Sequence, residues 1–309
     1  MRIPAPPAAG YAILSTRAAL LAALAAGAAS ATGFAPLGWW PVALISLGLF
    51  ALLVGTAPGR RSAWARGWAF GMGQFTLGLN WIAHAFTYQD AMPHWFGYPA
   101  VALLSVYLAV FPGLAALAAW PARRHPYAFG LALGASWIAA EWLRAHLFTG
   151  FAWNPVAAIW ADTPGLTAVL PWIGTHGLGG ITVAAAALAA AAFGRAAGRT
   201  GWQRRVPALP ALLPALLLVA LALLPLAPAQ VARGPAVRIV QPNIDQAAKH
   251  DEAAQIDHFR TLARLTGTPG PRPGWCSGRK RRSTMAIIWP RIRACATGWR
   301  GGWARATCC

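Results

Sequence analysis

An apolar, acid-poor stretch of about 230 residues constrains the fold of this chain more than any other feature. Only three acidic residues, Asp90, Glu141 and Asp162, occur within it. The whole chain is 57% hydrophobic and 11% charged, whereas soluble domains carry about 25% charged residues. The composition therefore predicts a polytopic membrane protein.

A transmembrane helix needs about 20 consecutive apolar residues, within a range of about 17 to 25. Seven segments meet this length, and the predicted fold is an α-helical polytopic membrane bundle. An apolar run after Arg17, ending at Ala29-Ser30-Ala31, is also compatible with a signal peptide, but six further spans favour a retained first helix. The predicted spans are about residues 18–36, 39–56, 64–86, 98–120, 127–148, 171–193 and 206–228.

The loops between these spans alternate in basic content, which predicts an orientation. Cytoplasmic loops carry an excess of Lys and Arg, so the N-terminus is predicted to be cytoplasmic and the chain after residue 228 to be periplasmic. The net charge of +19 is explained by these loops and a basic tail, so no nucleic-acid partner is expected. The basic loop residues are Arg2 and Arg17, then Arg60, Arg61 and Arg66, then Arg123 and Arg124, then Arg195, Arg199, Arg204 and Arg205.

A water-soluble domain is predicted to begin near Val237. Val237–Val240 is a short β-branched run, Pro242-Asn243 is a breaker, and a polar helix start follows. This pattern is typical of the first strand and turn of an α/β domain. The predicted domains are a transmembrane helical domain over 1–230 and the beginning of a periplasmic domain over 231–270.

Several polar side chains lie inside or beside the predicted spans. Glu141 and Arg144 are three residues apart on one helical face, so they could form a mutual ion pair, or they could contact a lipid headgroup or substrate. His84 and His146 are interpreted as interfacial. Trp81 and Trp153 each adjoin an Asn, which makes them candidates beyond an ordinary aromatic belt; Trp153 and Asn154 are therefore candidate site residues.

Several motifs, in this order and spacing, resemble the bacterial apolipoprotein N-acyltransferases. Glu141–Arg144 reads E-W-L-R and Phe148–Pro155 reads F-T-G-F-A-W-N-P, which together form the most specific block. Val240–Ile244 (V-Q-P-N-I) resembles the entry to that family's nitrilase-like domain. The other matching segments are Phe34–Pro41 (F-A-P-L-G-W-W-P), Gly78–Trp81 (G-L-N-W) and Ile173–Leu178 (I-G-T-H-G-L).

The resemblance implies a multi-pass enzyme of the bacterial inner membrane with a periplasmic nitrilase-like domain. Such enzymes move an acyl chain from a phospholipid to a cysteine thiol, and then to the α-amine of the diacylglyceryl-cysteine of an apolipoprotein. The reaction needs a thiolate, a carboxylate base and a lysine that stabilises the oxyanion. The implied partners are a phospholipid donor, an apolipoprotein acceptor and the bilayer, with no metal and no cofactor. The implied lipid- or substrate-binding candidates are Glu141, Arg144, Trp153, Asn154, Gln241, Asn243 and His250.

The chain departs from the family pattern after Gly270. Nine Lys or Arg residues and no acid follow this position, and Trp289-Pro290 is followed by Arg291 where the family's W-P-E motif has its glutamate. Lys249 does not occupy the position of the catalytic lysine, and His250 stands where the family commonly has Trp. Cys276, Cys295, Cys308 and Cys309 carry no motif match. The catalytic triad is therefore predicted to be absent, and the chain inactive.

A frameshift between about Thr266 and Trp275 accounts for this departure. Trp275–Thr284 can be encoded by codons that spell V-L-W-P-E-A-A-V-D when they are read one base out of phase. Residues 271–309 are accordingly predicted to be an out-of-frame, disordered tail. The alternative is a genuine polybasic segment, Arg279–Arg282, that binds anionic lipid. For the whole chain, the alternatives are a non-catalytic lipid- or lipoprotein-binding membrane module and a seven-span transporter, although no internal repeat of the kind found in transporters is present.

Overall fold

The structure is a computed structural model that describes residues 15–88, 93–196, 208–224, 237–244, 253–266, 274–280 and 283–289. The chain divides into two compact units, Met1–Pro228 and Ala229–Cys309. The described part of the first unit is helical, and the second unit contains the strands.

The helices of the first unit follow the apolar segments of the sequence. Ala and Leu dominate them, and both residues are strong helix formers. Short 3₁₀ turns lie at Phe86–Tyr88, His94–Phe96, Trp120–Arg124 and Val156–Trp160. The α-helices are α1 (Thr16–Ala31), α2 (Trp40–Gly55), α3 (Arg60–Gly78), α4 (Trp81–Ala85), α5 (Gly97–Leu108), α6 (Val110–Ala119), α7 (Pro126–His146), α8 (Pro164–Thr167), α9 (Leu170–Ala196) and α10 (Ala208–Leu223).

Two of these helical segments are long and apolar enough to cross a membrane, namely His94–Arg124 and Leu170–Phe193. Thr16–Ala31, Trp40–Gly55 and Pro210–Leu223 are shorter apolar helices. Together they suggest membrane association. The count of seven spans stays a prediction.

Three predicted spans are interrupted in the structure. The third consists of α3 and the short α4, and the fourth consists of α5 and α6, which meet at Ala109. The sixth is α9, which has a non-helical residue, Gly174, at φ 68° and ψ 170°. Because a positive φ costs glycine little, Gly174 is suited to this break.

Helices α3, α7 and α9 form the centre of the bundle. Helix α3 packs against α1 and α6, while α9 packs against α2, α7 and α10. An aromatic cluster joins α2, α3 and α7: the Phe50 and Phe70 rings stack at 4.5 Å between centroids, and Trp137 lies edge-on to Phe50 at 5.8 Å. This packing places one face of α7 in the protein interior.

The connection between α2 and α3 is held by two side chains from within the bundle. Arg66 is buried on α3, and its Nη1 donates to the carbonyl oxygen of Leu53 at 2.5 Å and to Oγ1 of Thr56 at 3.2 Å. Nε1 of Trp120 donates to the carbonyl oxygen of Ala57 at 3.0 Å. Arg66 thereby donates to the Leu53 carbonyl in the last turn of α2, where carbonyl oxygens lack amide partners within the helix.

The described residues of the second unit form a three-stranded sheet and one helix. Strand β1 (Val237–Ile239) lies where the sequence predicts the first strand of a new domain. It pairs in parallel with β2 (Gly274–Lys280), and β2 pairs antiparallel with β3 (Ser283–Trp289). Helix α11 (Gln255–Thr266) lies between β1 and β2 in sequence.

The strands β2 and β3 lie in the segment that the sequence predicts to be disordered. The ladder from Gly274↔Trp289 to Lys280↔Ser283 uses main-chain donors and acceptors, which every residue type except proline supplies. The assignment of residues 271–309 to an out-of-frame, disordered tail stays a prediction. The predicted division into domains at residues 230 and 270 stays a prediction.

Candidate functional site

Helix α7 carries the two buried charges of the candidate site, Glu141 and Arg144. They are 5% and 2% exposed. The ion pair between them, one of the two interpretations of their spacing, does not form in the structure, so that interpretation is wrong. The reason is that each charge has closer partners in the segment that follows α7.

Glu141 uses one carboxylate oxygen to hold two donors. Its Oε1 accepts a hydrogen bond from Nε1 of Trp137 at 3.0 Å and one from the backbone N–H of Val156 at 2.7 Å. Trp137 lies one turn earlier on the same helix, whereas Val156 lies 15 residues later. The carboxylate therefore ties the returning chain to α7.

Arg144 holds the same returning chain through its carbonyls. Its Nη1 donates to the carbonyl oxygen of Phe151 at 3.1 Å and to that of Trp153 at 2.7 Å. In return, the N–H of Phe151 donates to the carbonyl oxygen of Arg144 at 2.8 Å. The guanidinium also lies 5.1 Å from the centroid of the Phe75 ring, within the range of a cation–π interaction.

We call residues 148–156 the return segment. Its backbone is unusual, with positive φ at Phe148 (57°), Gly150 (75°) and Asn154 (52°). Asn is one of the residue types that tolerate this region, and Nδ2 of Asn154 donates to the carbonyl oxygen of Gly78 at the end of α3 at 3.0 Å. The return segment is thus fixed to α7 by two charges and to α3 by an amide.

The return segment presents an aromatic pair on the surface. The Trp153 ring is T-shaped against the Trp81 ring, with 5.5 Å between centroids. The two residues are 60% and 52% exposed. The structure therefore brings together the two tryptophans that the sequence singles out, and the exposed pair offers an apolar surface with indole N–H groups.

A narrow cleft opens behind the return segment between α3, α6 and α7. Three polar atoms in and beside it are buried and have no hydrogen-bond partner among the described residues: Oε1 of Gln74, Oε2 of Glu141 and Nδ1 of His176. Such atoms retain capacity for further hydrogen bonds. The cleft is lined by Gln74, Phe75, Phe111, Pro112, Trp137, Ala140, Glu141, Arg144 and Asn154.

The predicted site residues thus fall into two groups. Glu141, Arg144, Trp153 and Asn154 lie together at the return segment, whereas Gln241 and Asn243 belong to the second unit, where both are exposed. His250 lies outside the described residues. Within the described ranges, no three His, Cys, Asp or Glu residues are grouped as a metal site would require.

The sequence interpretation missed His176 as a site residue and gave no role to Gln74 or Trp137. His176 lies within the segment I-G-T-H-G-L, so a polar residue in a motif on an otherwise apolar helix was the available signal. The contact of Trp137 with Glu141 follows from their i, i+4 spacing on α7.

Comparison with known proteins places this bundle in a family. Residues 26–188, just over half of the chain, match the apolipoprotein N-acyltransferase N-terminal domain. This range includes Glu141, Arg144 and the whole return segment.

Full-length relatives show the same similarity. The apolipoprotein N-acyltransferase of Rhodopseudomonas palustris is 33% identical over 87% of this chain and 50% of its own length. Those of Bordetella bronchiseptica and Ralstonia nicotianae are 36% and 35% identical, over 81% and 79% of this chain and 48% and 46% of theirs. The chain thus spans about half the length of these curated relatives, and it belongs to the apolipoprotein N-acyltransferase family.

Proposed function

We propose that this chain supplies the membrane domain, and the entry to the catalytic domain, of an enzyme that N-acylates lipoproteins. The family match over residues 26–188 carries the proposal, and the names of the relatives give the reaction. The enzyme lies in the bacterial inner membrane with its N-terminus in the cytoplasm and its catalytic domain in the periplasm.

The reaction has two acyl transfers. A cysteine thiolate attacks an ester carbonyl of a phospholipid, forming a thioester and releasing the lysophospholipid. The free α-amine of the diacylglyceryl-cysteine of the apolipoprotein then attacks the thioester, forming an amide and returning the thiol. Both substrates are lipids, so the reaction requires a site at the level of the membrane surface.

The return segment is the part of the membrane domain that we assign to lipid contact. Glu141 and Arg144 hold its backbone from inside the bundle, while Trp153 and Trp81 expose their rings. Tryptophan favours the boundary between water and acyl chains, because its ring is apolar and its N–H is polar. In this assignment the two charges order the segment, and the aromatic pair contacts lipid.

We further propose that the chain with the printed sequence does not catalyse the reaction. Trp289-Pro290 is followed by Arg291, where the family's W-P-E motif has its catalytic glutamate. Under the frameshift hypothesis, the W-P-E codons lie out of frame within Trp275–Thr284 instead. Resequencing the locus tests the origin of this departure. The expected result is a series of codons for W-P-E in the frame that lies one base out of phase at Trp275. The absence of that series would refute the frameshift.

Complementation tests the function itself. The gene as printed, and a matched gene with one base inserted between the codons of Gly270 and Trp275 so that the second frame is read from there, are expressed in a strain depleted of its own acyltransferase. The restored gene is expected to support growth, with mass spectra of lipoprotein N-termini showing the third acyl chain; the printed gene is not. Growth with the printed gene would refute the proposal that its product is inactive. If the restored protein is well expressed and still does not support growth, the proposed N-acylation of lipoproteins is contradicted.

A non-catalytic lipid-binding module is the second candidate function. The exposed Trp81–Trp153 pair supports it, because that surface does not depend on the catalytic residues. Photolabelling of the printed chain by a diazirine phospholipid in nanodiscs, with no acyl transfer in the same sample, is the outcome expected for this function.

A further inference from the structure

A contact between α7 and α9 completes the environment of Glu141. Oε2 of Glu141 lies 3.5 Å from Nδ1 of His176, and the two side chains are 6% and 31% exposed. Neither atom has a hydrogen-bond partner among the described residues. Since an unsatisfied buried polar group is costly, these two atoms are the natural partners of each other.

The course of α9 brings His176 to this position. His176 follows two residues after the break at Gly174, and Gly179 lies one turn further along the same helix. A Cβ atom at Gly179 would lie 3.1 Å from Oε2 of Glu141. The absence of a side chain there allows α9 to approach the carboxylate closely.

The hydrogen bonds described for the Glu141 carboxylate are all made to its other oxygen, Oε1. Trp137 and Val156 donate to Oε1, and Nη1 of Arg144 donates to the carbonyls of Phe151 and Trp153. An ionised carboxylate accepts hydrogen bonds and donates none, so His176 must carry a proton on Nδ1 for this contact to be attractive. The hydrogen bond that a histidine makes decides which ring nitrogen is protonated.

We propose that His176 is a positioning residue: its Nδ1–H donates to Oε2 of Glu141 and fixes the carboxylate, so that Oε1 keeps its hold on the Val156 amide. A closure of a few tenths of an ångström brings the 3.5 Å contact into the ordinary range of about 2.7–3.2 Å. The order of the return segment then depends on α9 as well as on α7. The inference rests on the role proposed above for that segment.

Nitrogen NMR of the intact chain tests the assigned proton. The chain is labelled with ¹⁵N-histidine in nanodiscs, and the His176 signal is identified by its loss in His176→Phe. The expected signature is a protonated Nδ1 whose proton is protected from solvent, and the loss of this protection in Glu141→Leu. An unprotonated Nδ1 in the unmodified chain would overturn the proposal; His176→Phe serves only to identify the signal.

Hydrogen exchange of the peptide that contains Val156 tests the consequence. His176→Phe removes the donor and is expected to accelerate exchange about tenfold, the size of one lost charge-assisted hydrogen bond. His176→Asn retains an N–H donor at the place of Nδ1 and is expected to restore slow exchange. His146→Phe is the control, because Nδ1 of His146 contacts the carbonyl oxygen of Trp142 on its own helix, and it is expected to leave exchange unchanged.

Two exchange results would contradict the proposal: exchange in His176→Phe as slow as in the unmodified chain, or exchange in His176→Asn as fast as in His176→Phe. Neither measurement involves acyl transfer. A failed complementation together with the expected NMR and exchange results would therefore refute the proposed reaction and leave the role of His176 intact. Successful complementation together with contrary NMR and exchange results would refute only the role of His176.

Discussion

At the scale of single residues, Glu141 and Arg144 form hydrogen bonds with a backbone segment instead of with each other. Burying a charge requires hydrogen bonds that replace its water. Glu141 obtains them from an indole and an amide N–H, and Arg144 from two carbonyl oxygens. All three backbone partners lie on the return segment, so its conformation depends on both charges.

Arg144→Leu is expected to destabilise the protein by about 2–4 kcal/mol, because it leaves the carbonyls of Phe151 and Trp153 without their donor and Glu141 as the remaining buried charge. Thermal unfolding in detergent measures the change. Arg61→Leu is the matched control, since Arg61 is exposed and is expected to change stability by less than about 0.5 kcal/mol. Equal effects of the two substitutions would show that Arg144 does not hold the segment.

Asn154 supports the return segment in two ways that substitutions can separate. Its amide donates to Gly78, and its φ is 52°. Asn154→Gly loses the amide but is free of strain at positive φ, whereas Asn154→Ala loses the amide and keeps a Cβ at positive φ, which costs about 1–2 kcal/mol relative to Gly. Melting temperatures in detergent should fall in the order Asn, Gly, Ala. An Ala variant as stable as the Gly variant would contradict this account of the backbone.

The sequence predicted which residues meet at this site better than it predicted how they meet. Glu141, Arg144, Trp153 and Asn154 come from one motif block, so their proximity was foreseeable. Their i, i+3 spacing suggested a mutual ion pair between Glu141 and Arg144, because spacing on a helix says nothing about amides and carbonyls 7 to 15 residues later. His176 approaches from another helix, and its contact depends on tertiary packing.

At the scale of secondary-structure elements, helices α1 and α3 cross closely, and glycine makes this crossing possible. Gly27 of α1 lies against the backbone of Phe70, and Gly73 of α3 lies against the backbone of Leu24. A Cβ atom at either glycine would meet main-chain atoms, which cannot move as a flexible side chain can. Small residues at helix crossings are typical of membrane bundles, where close backbone approach favours association.

Gly73→Ala is therefore expected to destabilise the bundle by about 1–3 kcal/mol, the usual cost of overpacking. Gly177→Ala is the control: its Cβ would meet only the side chain of Ile173, at 3.4 Å, and alanine favours the helix by about 0.5–1 kcal/mol. Thermal unfolding in detergent should lower the midpoint for the first variant and leave it equal or higher for the second. A neutral Gly73→Ala would contradict the tight crossing.

The apolar segments predicted the positions of the helices, but they did not predict the breaks within those helices. Gly174 interrupts α9 at positive φ, and the α5–α6 junction falls at Ala109. Hydropathy averages over these positions, because the segments on both sides of each break are largely apolar. Only the tertiary environment decides where such a helix bends.

At the scale of the whole molecule, the arginines that predict the membrane orientation differ in exposure and in bonding. Arg60 and Arg61 are exposed, whereas Arg66 is buried and bonded to the end of α2. Arg123 lies 3.4 Å from the centroid of the Trp120 ring. The positive-inside rule counts charges near the ends of spans, so Arg66 is better described as a structural residue, and Arg60, Arg61 and Arg124 are the residues that retain the topological bias.

Reporter fusions test the proposed membrane topology, in which the N-terminus is cytoplasmic. Alkaline phosphatase, which is active only after export, is expected to be inactive when fused after Arg124 and active when fused after Pro228, with a fusion after residue 92 as the exported control. Replacing Arg60 and Arg61 by Gln should raise activity at Arg124, because the bias that keeps these loops in the cytoplasm is weakened. The same replacement of Arg66 should lower protein yield without moving the loops, since its guanidinium holds α2. Strong activity at Arg124 in the unmodified chain would overturn the predicted orientation and, with it, the periplasmic placement of the second unit.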